Sequence, residues 1–443
     1  MDAVLSNNLM LPKSELSSSV LDNLRRTLTF ESKFKDREKT PAFTENAKYL
    51  GVPRYYNHGI ENVNVVDQRS IGTPIELKCT VSPRDYQVRL IEDLHESYDS
   101  NSDSAIVSAG TGSGKTYVSI NTICKLNTTA LIIVPKIDLM KQWKDALLKF
   151  TNIREQDIGF IQGADCEYVG KKVMIGMVHT LCKDKFPLEF KNYFGFVVTD
   201  ELHRCGSYTF SKTQGMFTSK YRLGVSATVA RQDGMDIVFR LHLGRNEITL
   251  KNNTQPIPKV LVFKYAKSSG VVPRYAASQA TYKRAALLNL LAVNADRCDK
   301  ICSMAVQLAE GRQVVILSER KKMLALMKKI LIDRYNQSPD SVGVYIGETP
   351  QKEKDRVTKN CRIILASQQM LSEGSDIPTL RALILSTPIT SVVQPVGRIR
   401  RIREGVRDPI VIDVVDTNYI ECVRWHKKRL VEYKDMKCVI KTL

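Results

Sequence analysis

Residues 109–116 read Ala109-Gly110-Thr111-Gly112-Ser113-Gly114-Lys115-Thr116, directly after the short apolar run Ala105-Ile106-Val107. This is the phosphate-binding pattern GxxxxGK[ST], with Ala109 where the first glycine usually stands. Glycines let backbone N–H groups turn inward around phosphate oxygens, and a helix that starts behind them points its positive end at the same charge. Lys115 would then reach the outer phosphates, and Thr116 would hold Mg²⁺. Further along, Phe196-Val197-Val198-Thr199-Asp200-Glu201-Leu202-His203 places two carboxylates at the end of an apolar strand. Asp200 would hold Mg²⁺ through water, and Glu201 would polarise an attacking water. Alone, Asp-Glu after a strand is most often a solvated turn. Paired with the loop upstream, it completes the set of groups that nucleoside-triphosphate hydrolysis needs.

These residues require strands that end on one side of a sheet, and the chain supplies them. Ala105–Val107, Ala130–Val134, Val173–Met177, Phe196–Thr199 and Leu223–Ser226 are β-branched or apolar runs separated by helical stretches, the signature of a parallel sheet covered by helices. Around Lys251-Asn252-Asn253-Thr254-Gln255-Pro256-Ile257-Pro258 the composition turns polar, as in a linker. The alternation then resumes with Gln313–Leu317, Val342–Ile346, Arg362–Ala366, Ala382–Ser386 and Ile410–Val414. The expected fold is therefore α/β, with two parallel-sheet units in series over residues 81–250 and 251–443. A small N-terminal accessory or DNA-binding region would occupy residues 1–80.

At 443 residues the chain is too long for one ordinary core. Lys and Arg number 66 against 47 Asp and Glu, a formal net charge of +19. Such an excess points to a polyanionic partner, and nucleic acid fits better than membrane because no amphipathic basic helix stands out. The longest apolar runs are strand-sized, far below a bilayer span. The first residues lack the basic start and apolar stretch of a secretory signal, so the expected location is cytoplasmic, host cytoplasm for a phage or viral protein. Ten scattered cysteines read as reduced core thiols. Cys298 and Cys302 are close in sequence, but no second pair completes a four-ligand metal site around them.

Further motifs carry a family resemblance. Arg84-Asp85-Tyr86-Gln87 is similar to a Q-containing element that precedes phosphate loops, Asp200–His203 to a DExH box, and Ser226-Ala227-Thr228 to a SAT motif. Glu373-Gly374-Ser375-Asp376-Ile377-Pro378 looks like motif V, and Gln394-Pro395-Val396-Gly397-Arg398-Ile399-Arg400-Arg401 fits the QxxGRxxR of motif VI. In this order, across residues 84–401, they resemble the superfamily 2 helicases of the DExH type. Val134-Pro135 followed by Gln142-Trp143, and Arg231-Gln232-Asp233-Gly234 after the SAT residues, resemble the DNA-directed branch with XPB, restriction-enzyme motor subunits and UvsW-type branch-migration helicases. Val229 departs from the proline usual in that branch, as Ala109 departs from glycine, and neither change removes a charge or ligand.

The resemblance implies tandem RecA-like domains with ATP and Mg²⁺ as cofactors. ATP would meet Arg84, Gln87, Gly110, Thr111, Gly112, Ser113, Gly114, Lys115 and Thr116 of the first domain. Gln394, Arg398, Arg401, Gly374 and Asp376 would come from the second, with Gln87 reading adenine and the arginines neutralising charge on the γ-phosphate. For Arg398, Arg400, Arg401 and Arg403 a solvated or nucleic-acid-binding basic face stays open as an alternative. His203, Ser226 and Thr228 would couple ATP to motion, while Pro135, Lys136, Thr180, Ser318, Arg320 and Ser367 would touch the nucleic-acid backbone. The implied activity is that of a monomeric ATP-dependent DNA helicase or translocase on forked or branched DNA. A DExH RNA helicase and an ATP-gated binder or annealer remain alternatives. Reading residues 1–80 as a DNA grip predicts that deleting residues 1–75 costs structured-DNA binding more than basal ATP turnover.

Overall fold

A computed structural model describes the chain apart from residues 33–38, 101, 111, 164–165, 228, 232, 251–255, 272–279, 369–379, 390 and 401–407. The polypeptide divides into two compact units, Met1–Asn252 and Asn253–Leu443.

The first unit is built on a seven-stranded sheet in the order Ile158–Ile161, Val173–Met177, Ala130–Val134, Phe196–Asp200, Tyr221–Ser226, Ser104–Ser108, Glu247–Thr249. Every pairing in it is parallel. Parallel sheets carry helices on both faces, so their inner strands read as unbroken apolar runs. Ala130–Val134 and Val173–Met177 are buried at every position. Register brings Asp200 opposite Val225 and Ser226 opposite Ser108. The phosphate loop, the SAT residues and the acidic pair therefore leave three adjacent strands at the carboxyl end of the sheet, where open α/β sheets bind ligands. The two edge strands escape sequence patterning because they are short: Ile158–Ile161 has four residues, and Glu247–Thr249 has three and buries none of them fully.

A five-stranded sheet from the N-terminal residues belongs to the same unit, in the order Thr44–Glu45, Tyr49–Val52, Leu9–Pro12, Asp2–Leu5, Asn64–Asp67. With the helix Ser18–Thr27 it encloses a small core of its own, including Leu11, Leu24, Leu28 and Leu50. Two arginines, Arg222 buried and Arg54 half-buried, stitch it to the larger sheet. Arg222, 4% exposed, donates to the carbonyl of Asn7 at 2.7 Å, and Arg54 donates to the carbonyls of Ser6 and Ser219, each at 2.9 Å. Beyond the small sheet, Ser70 bridges Ser219, Pro74 bridges Thr128 and Cys79 bridges Thr151.

The second unit repeats the parallel design, in the order Val342–Tyr345, Ile363–Ser367, Gln313–Ser318, Leu380–Leu385, Ile410–Asp416, Lys259–Tyr265, Val439–Thr442. Lys259–Tyr265 follows directly on the proline-bearing segment and Val439–Thr442 is the exposed edge, so neither stands out by pattern alone. In the core, Arg297 pairs with Asp416 and Arg429 with Asp413. Cys298 and Cys302 are buried on the helix Ala295–Ala309, the latter thiol facing the carbonyl of Met327. Among the described residues no helix is long and apolar enough to cross a membrane.

Candidate active site

The phosphate loop runs from Ser104–Ser108 into the helix Lys115–Leu126. Gly112 and Gly114 stand at φ +80° and +83°, the left-handed region that side chains disfavour. At Gly114 a Cβ would also fall 2.1 Å from Nε2 of Gln87, so a side chain there would be strained by the backbone and would have to displace that amide. Lys115 folds over the loop, its ammonium donating to the carbonyls of Ala109 at 2.8 Å and Gly110 at 3.3 Å. Thr116 is the second residue of the helix. The Ser113 hydroxyl is buried and makes no hydrogen bond in the described structure. Gln87 is 4% exposed; its Oε1 accepts from the Arg84 N–H at 3.0 Å and its Nε2 donates to the Ser113 carbonyl at 3.2 Å. One donor and one acceptor site remain on that amide for a base.

Asp200 ends its strand with both oxygens held. The Glu201 N–H donates to Oδ1 at 2.8 Å, and the Trp143 indole N–H donates to Oδ2 at 2.9 Å. Burial and the charge of Glu201 push the carboxyl up to about 6, against the opposing pull of Trp143 and Lys115. Glu201 takes φ +51°, which turns the chain sharply off the strand. Its Oε2 is buried without a hydrogen bond, 3.4 Å from Nδ1 of His203. His203 is pushed down to about 4 by burial and by Arg204 and Arg231, so its ring is neutral at neutral pH. The same Nδ1 lies 3.0 Å from the Ser226 hydroxyl. Arg231 donates to the His203 carbonyl and is fixed by Asp233 at 2.9 Å. A backbone bond from Ala109 N–H to the Ser226 carbonyl, 3.0 Å, joins the phosphate loop to the SAT strand.

The first unit thus gathers a glycine cradle, an ammonium, a neutral histidine and two carboxylates, one with an unpartnered buried oxygen. This donor set fits the phosphates of a nucleotide and a hard, oxygen-liganded Mg²⁺, which Thr116 and Asp200 would hold. Trp143 was not visible as part of the site in sequence. It stands 57 residues from Asp200, and only the adjacent Gln142-Trp143 pair hinted that it was more than a core residue.

In the second unit Gln394 and Arg398 lie on the helix Val393–Ile399, Gln394 half-buried and Arg398 8% exposed. The helix is held from both ends. Glu432 accepts from the Val392 N–H at 2.6 Å and the Ser391 hydroxyl at 3.1 Å, while buried Arg381 donates to the Ile399 carbonyl at 2.9 Å. Arg400 donates to the Pro256 carbonyl at 3.3 Å. Thr111, Thr228, Gly374, Asp376, Arg401 and Arg403 lie outside the described residues.

The residues expected to meet a nucleic-acid backbone separate into two kinds. Pro135 and Lys136 follow the strand Ala130–Val134 and immediately precede the helix Ile137–Phe150, and Thr180 accepts from the Gly163 N–H at 3.3 Å. Burial and Arg204 push the Lys136 ammonium down to about 8. Ser367 ends its strand half-buried. Ser318, by contrast, is 1% exposed, with its hydroxyl used on the Arg320 backbone and Met323. Arg320 reaches Asn289 at 2.8 Å and the carbonyls of Ala285 and Glu319. These two side chains organise a turn inside their own unit.

Residues 80–231 match the family described as Type III restriction enzyme, res subunit, and residues 296–403 match the Helicase conserved C-terminal domain. The chain is 30% identical over 398 residues to the "Putative ATP-dependent RNA helicase L396" of Acanthamoeba polyphaga mimivirus, spanning 88% of this chain and 75% of that protein. It is 29% identical over 222 residues to the "DNA 3'-5' translocase XPB2" of Sulfurisphaera tokodaii, which covers 49% of this chain and 46% of that one. The helicase domain of Hef from Pyrococcus furiosus shares the fold at 14% identity and a TM-score of 0.52, over 78% of this chain and 98% of that chain. The chain belongs to the superfamily 2 helicases, and its two parallel sheets are their tandem RecA-like domains.

Proposed function

We propose that the protein is an ATP-dependent DNA helicase or translocase that remodels forked or branched DNA in replication, recombination or repair. The observation that carries the hydrolytic part is the convergence of Lys115, Asp200, Glu201, His203 and Ser226 at the ends of three neighbouring strands. In this reading Lys115 and the loop N–H groups bind the phosphates. Glu201, whose Oε2 is buried without a hydrogen bond and lies 3.4 Å from Nδ1 of His203, takes the proton of the attacking water. Mg²⁺, when bound, neutralises phosphate charge and orients the phosphates. Arg398 and Arg401 would stabilise charge that develops on the γ-phosphate, with Gln394, Gly374 and Asp376 assisting. His203, neutral and against Ser226, links the acidic turn to the SAT strand, so nucleotide state reaches the backbone there.

The DNA assignment is supported by the archaeal relative, a DNA translocase by name, and by the match to a restriction-enzyme subunit. The name of the mimivirus relative favours a second reading, an RNA helicase. ATP turnover measured without nucleic acid and with single-stranded DNA, duplex DNA, a four-way junction or RNA separates them. Strongest stimulation by fork or junction is expected, with Lys115→Ala inactive throughout. Stimulation by RNA alone would replace the DNA reading, and turnover without displacement of any duplex would favour an ATP-gated binder.

A further inference from the structure

We infer that Trp143 is a positioning residue for the hydrolytic carboxylates, an inference that rests on the role proposed above for Asp200 and Glu201. A buried indole needs a partner for its N–H, and a backbone carbonyl would serve. Trp143 is 1% exposed, within the core that also holds Ile132 and Val198, yet its N–H is aimed at Oδ2 of Asp200, 2.9 Å away. The other oxygen, Oδ1, is held by the N–H of Glu201 at 2.8 Å. The two donors come from different elements, one from the turn itself and one from the helix Ile137–Phe150. A carboxylate gripped through both oxygens cannot rotate about its terminal torsion, yet each oxygen keeps a free lone pair for water on a metal. Because Oδ1 is bonded to the backbone of Glu201, fixing Asp200 also fixes the start of the left-handed turn that aims Glu201. Partners of this kind, one bond behind a metal-holding group, typically alter metal affinity or activity when removed.

The test uses the full chain. Phe is the closest apolar replacement and lacks only the N–H and part of the ring, so Trp143→Phe should keep the fold. It should lower kcat about 10- to 100-fold, raise the Mg²⁺ concentration for half-maximal turnover, and leave KM for ATP within about twofold. An unloaded readout accompanies it. The chain has two tryptophans, and the second, Trp425, sits beside Arg284. In the nucleotide-free protein one indole N–H resonance should therefore be protected from exchange. It should move and lose protection in Asp200→Ala and stay in place in Lys115→Ala. Trp143→Phe with wild-type rate and Mg²⁺ requirement, or an indole resonance indifferent to Asp200→Ala, would overturn the inference. If Asp200→Ala itself hydrolyses ATP normally, the reading of the site fails instead, and the indole shift still reports the hydrogen bond. Should Trp143→Phe not fold, the resonance comparison decides alone.

Discussion

A base for water must be near the nucleotide, ionised and short of other partners, and Glu201 meets the last condition by geometry. Its Oε2 is buried and makes no hydrogen bond, while the adjacent ring of His203 is neutral and adds no counter-charge. Glu201→Gln keeps the size and the left-handed turn but removes the basic lone pairs. It should lower kcat about 10²–10⁴-fold while nucleotide binding, measured by titration with a fluorescent analogue, stays near wild type. A variant that turns over normally would remove Glu201 from the chemistry. At this scale the glycines, Lys115 and the acidic pair were legible in sequence because each motif is contiguous, and contiguous spacing implies geometry on a strand–loop–helix turn. Trp143 was not, because its hydrogen bond to Asp200 spans 57 residues and depends on how a helix packs against a sheet. Ser318 is the opposite case: a hydroxyl at a strand end reads as available in sequence, and in the structure it is 1% exposed and accepts from the Arg320 N–H.

The helix Ile420–Asp435 acts as a clamp on the helix that carries Gln394 and Arg398. Glu432 caps the start of that helix, and Arg429 donates to the Ile389 carbonyl at 3.2 Å just before it. Arg429 is fixed in turn by Asp413, at 2.7 and 3.0 Å, on the strand Ile410–Asp416. Removing one partner of a buried pair leaves the other charge uncompensated, so Arg429→Ala should destabilise the second unit by about 3–5 kcal/mol, read by denaturant unfolding. The pair also sets an acid limit. Burial alone would push Asp413 up, but the hydrogen bond with His426 and the charge of Arg429 hold it below the ordinary carboxylate range. A depressed folded pKa contributes stability above the unfolded value of about 3.9, and that contribution is lost as pH falls through the folded value. Unfolding curves for wild type and Arg429→Ala should therefore converge at low pH; a gap that persists would assign the loss to packing. Sequence periodicity located every inner strand of the two sheets except Lys259–Tyr265, because burial on two faces writes continuous apolar runs. Among the edge strands Val342–Tyr345 was legible in the same way, whereas Glu247–Thr249 and Val439–Thr442, wet along most of their length, left no such mark.

For the whole molecule, the question is whether the N-terminal residues are an attachment or part of the motor. The sequence reading makes residues 1–80 an accessory region that grips DNA. Packing argues for the motor. Arg222 sits on the strand Tyr221–Ser226, the one that carries Ser226, and its buried guanidinium donates to the carbonyls of Asn7 at 2.7 Å and Phe217 at 2.8 Å. Asn7 in return donates to the Gly215 carbonyl at 2.6 Å. Ala42 packs with Met235 and Val238, and Ile75 belongs to the main core that also holds Leu223. Deleting residues 1–75 would remove an acceptor from a buried charge, a loss of about 1.5–3 kcal/mol for that bond, and would also uncover apolar core. Such a deletion is expected to lower the melting temperature of the first unit and to reduce ATP turnover and DNA binding together. A soluble protein of residues 76–443 with wild-type basal turnover and weakened binding to forks would instead restore the small sheet to the role of a detachable grip. Single substitutions distinguish the two without truncation. Asn7→Ala breaks the hydrogen bond to the Gly215 carbonyl at the seam and should lower the melting temperature. If fork binding falls with no change in melting, the seam is itself a contact for nucleic acid.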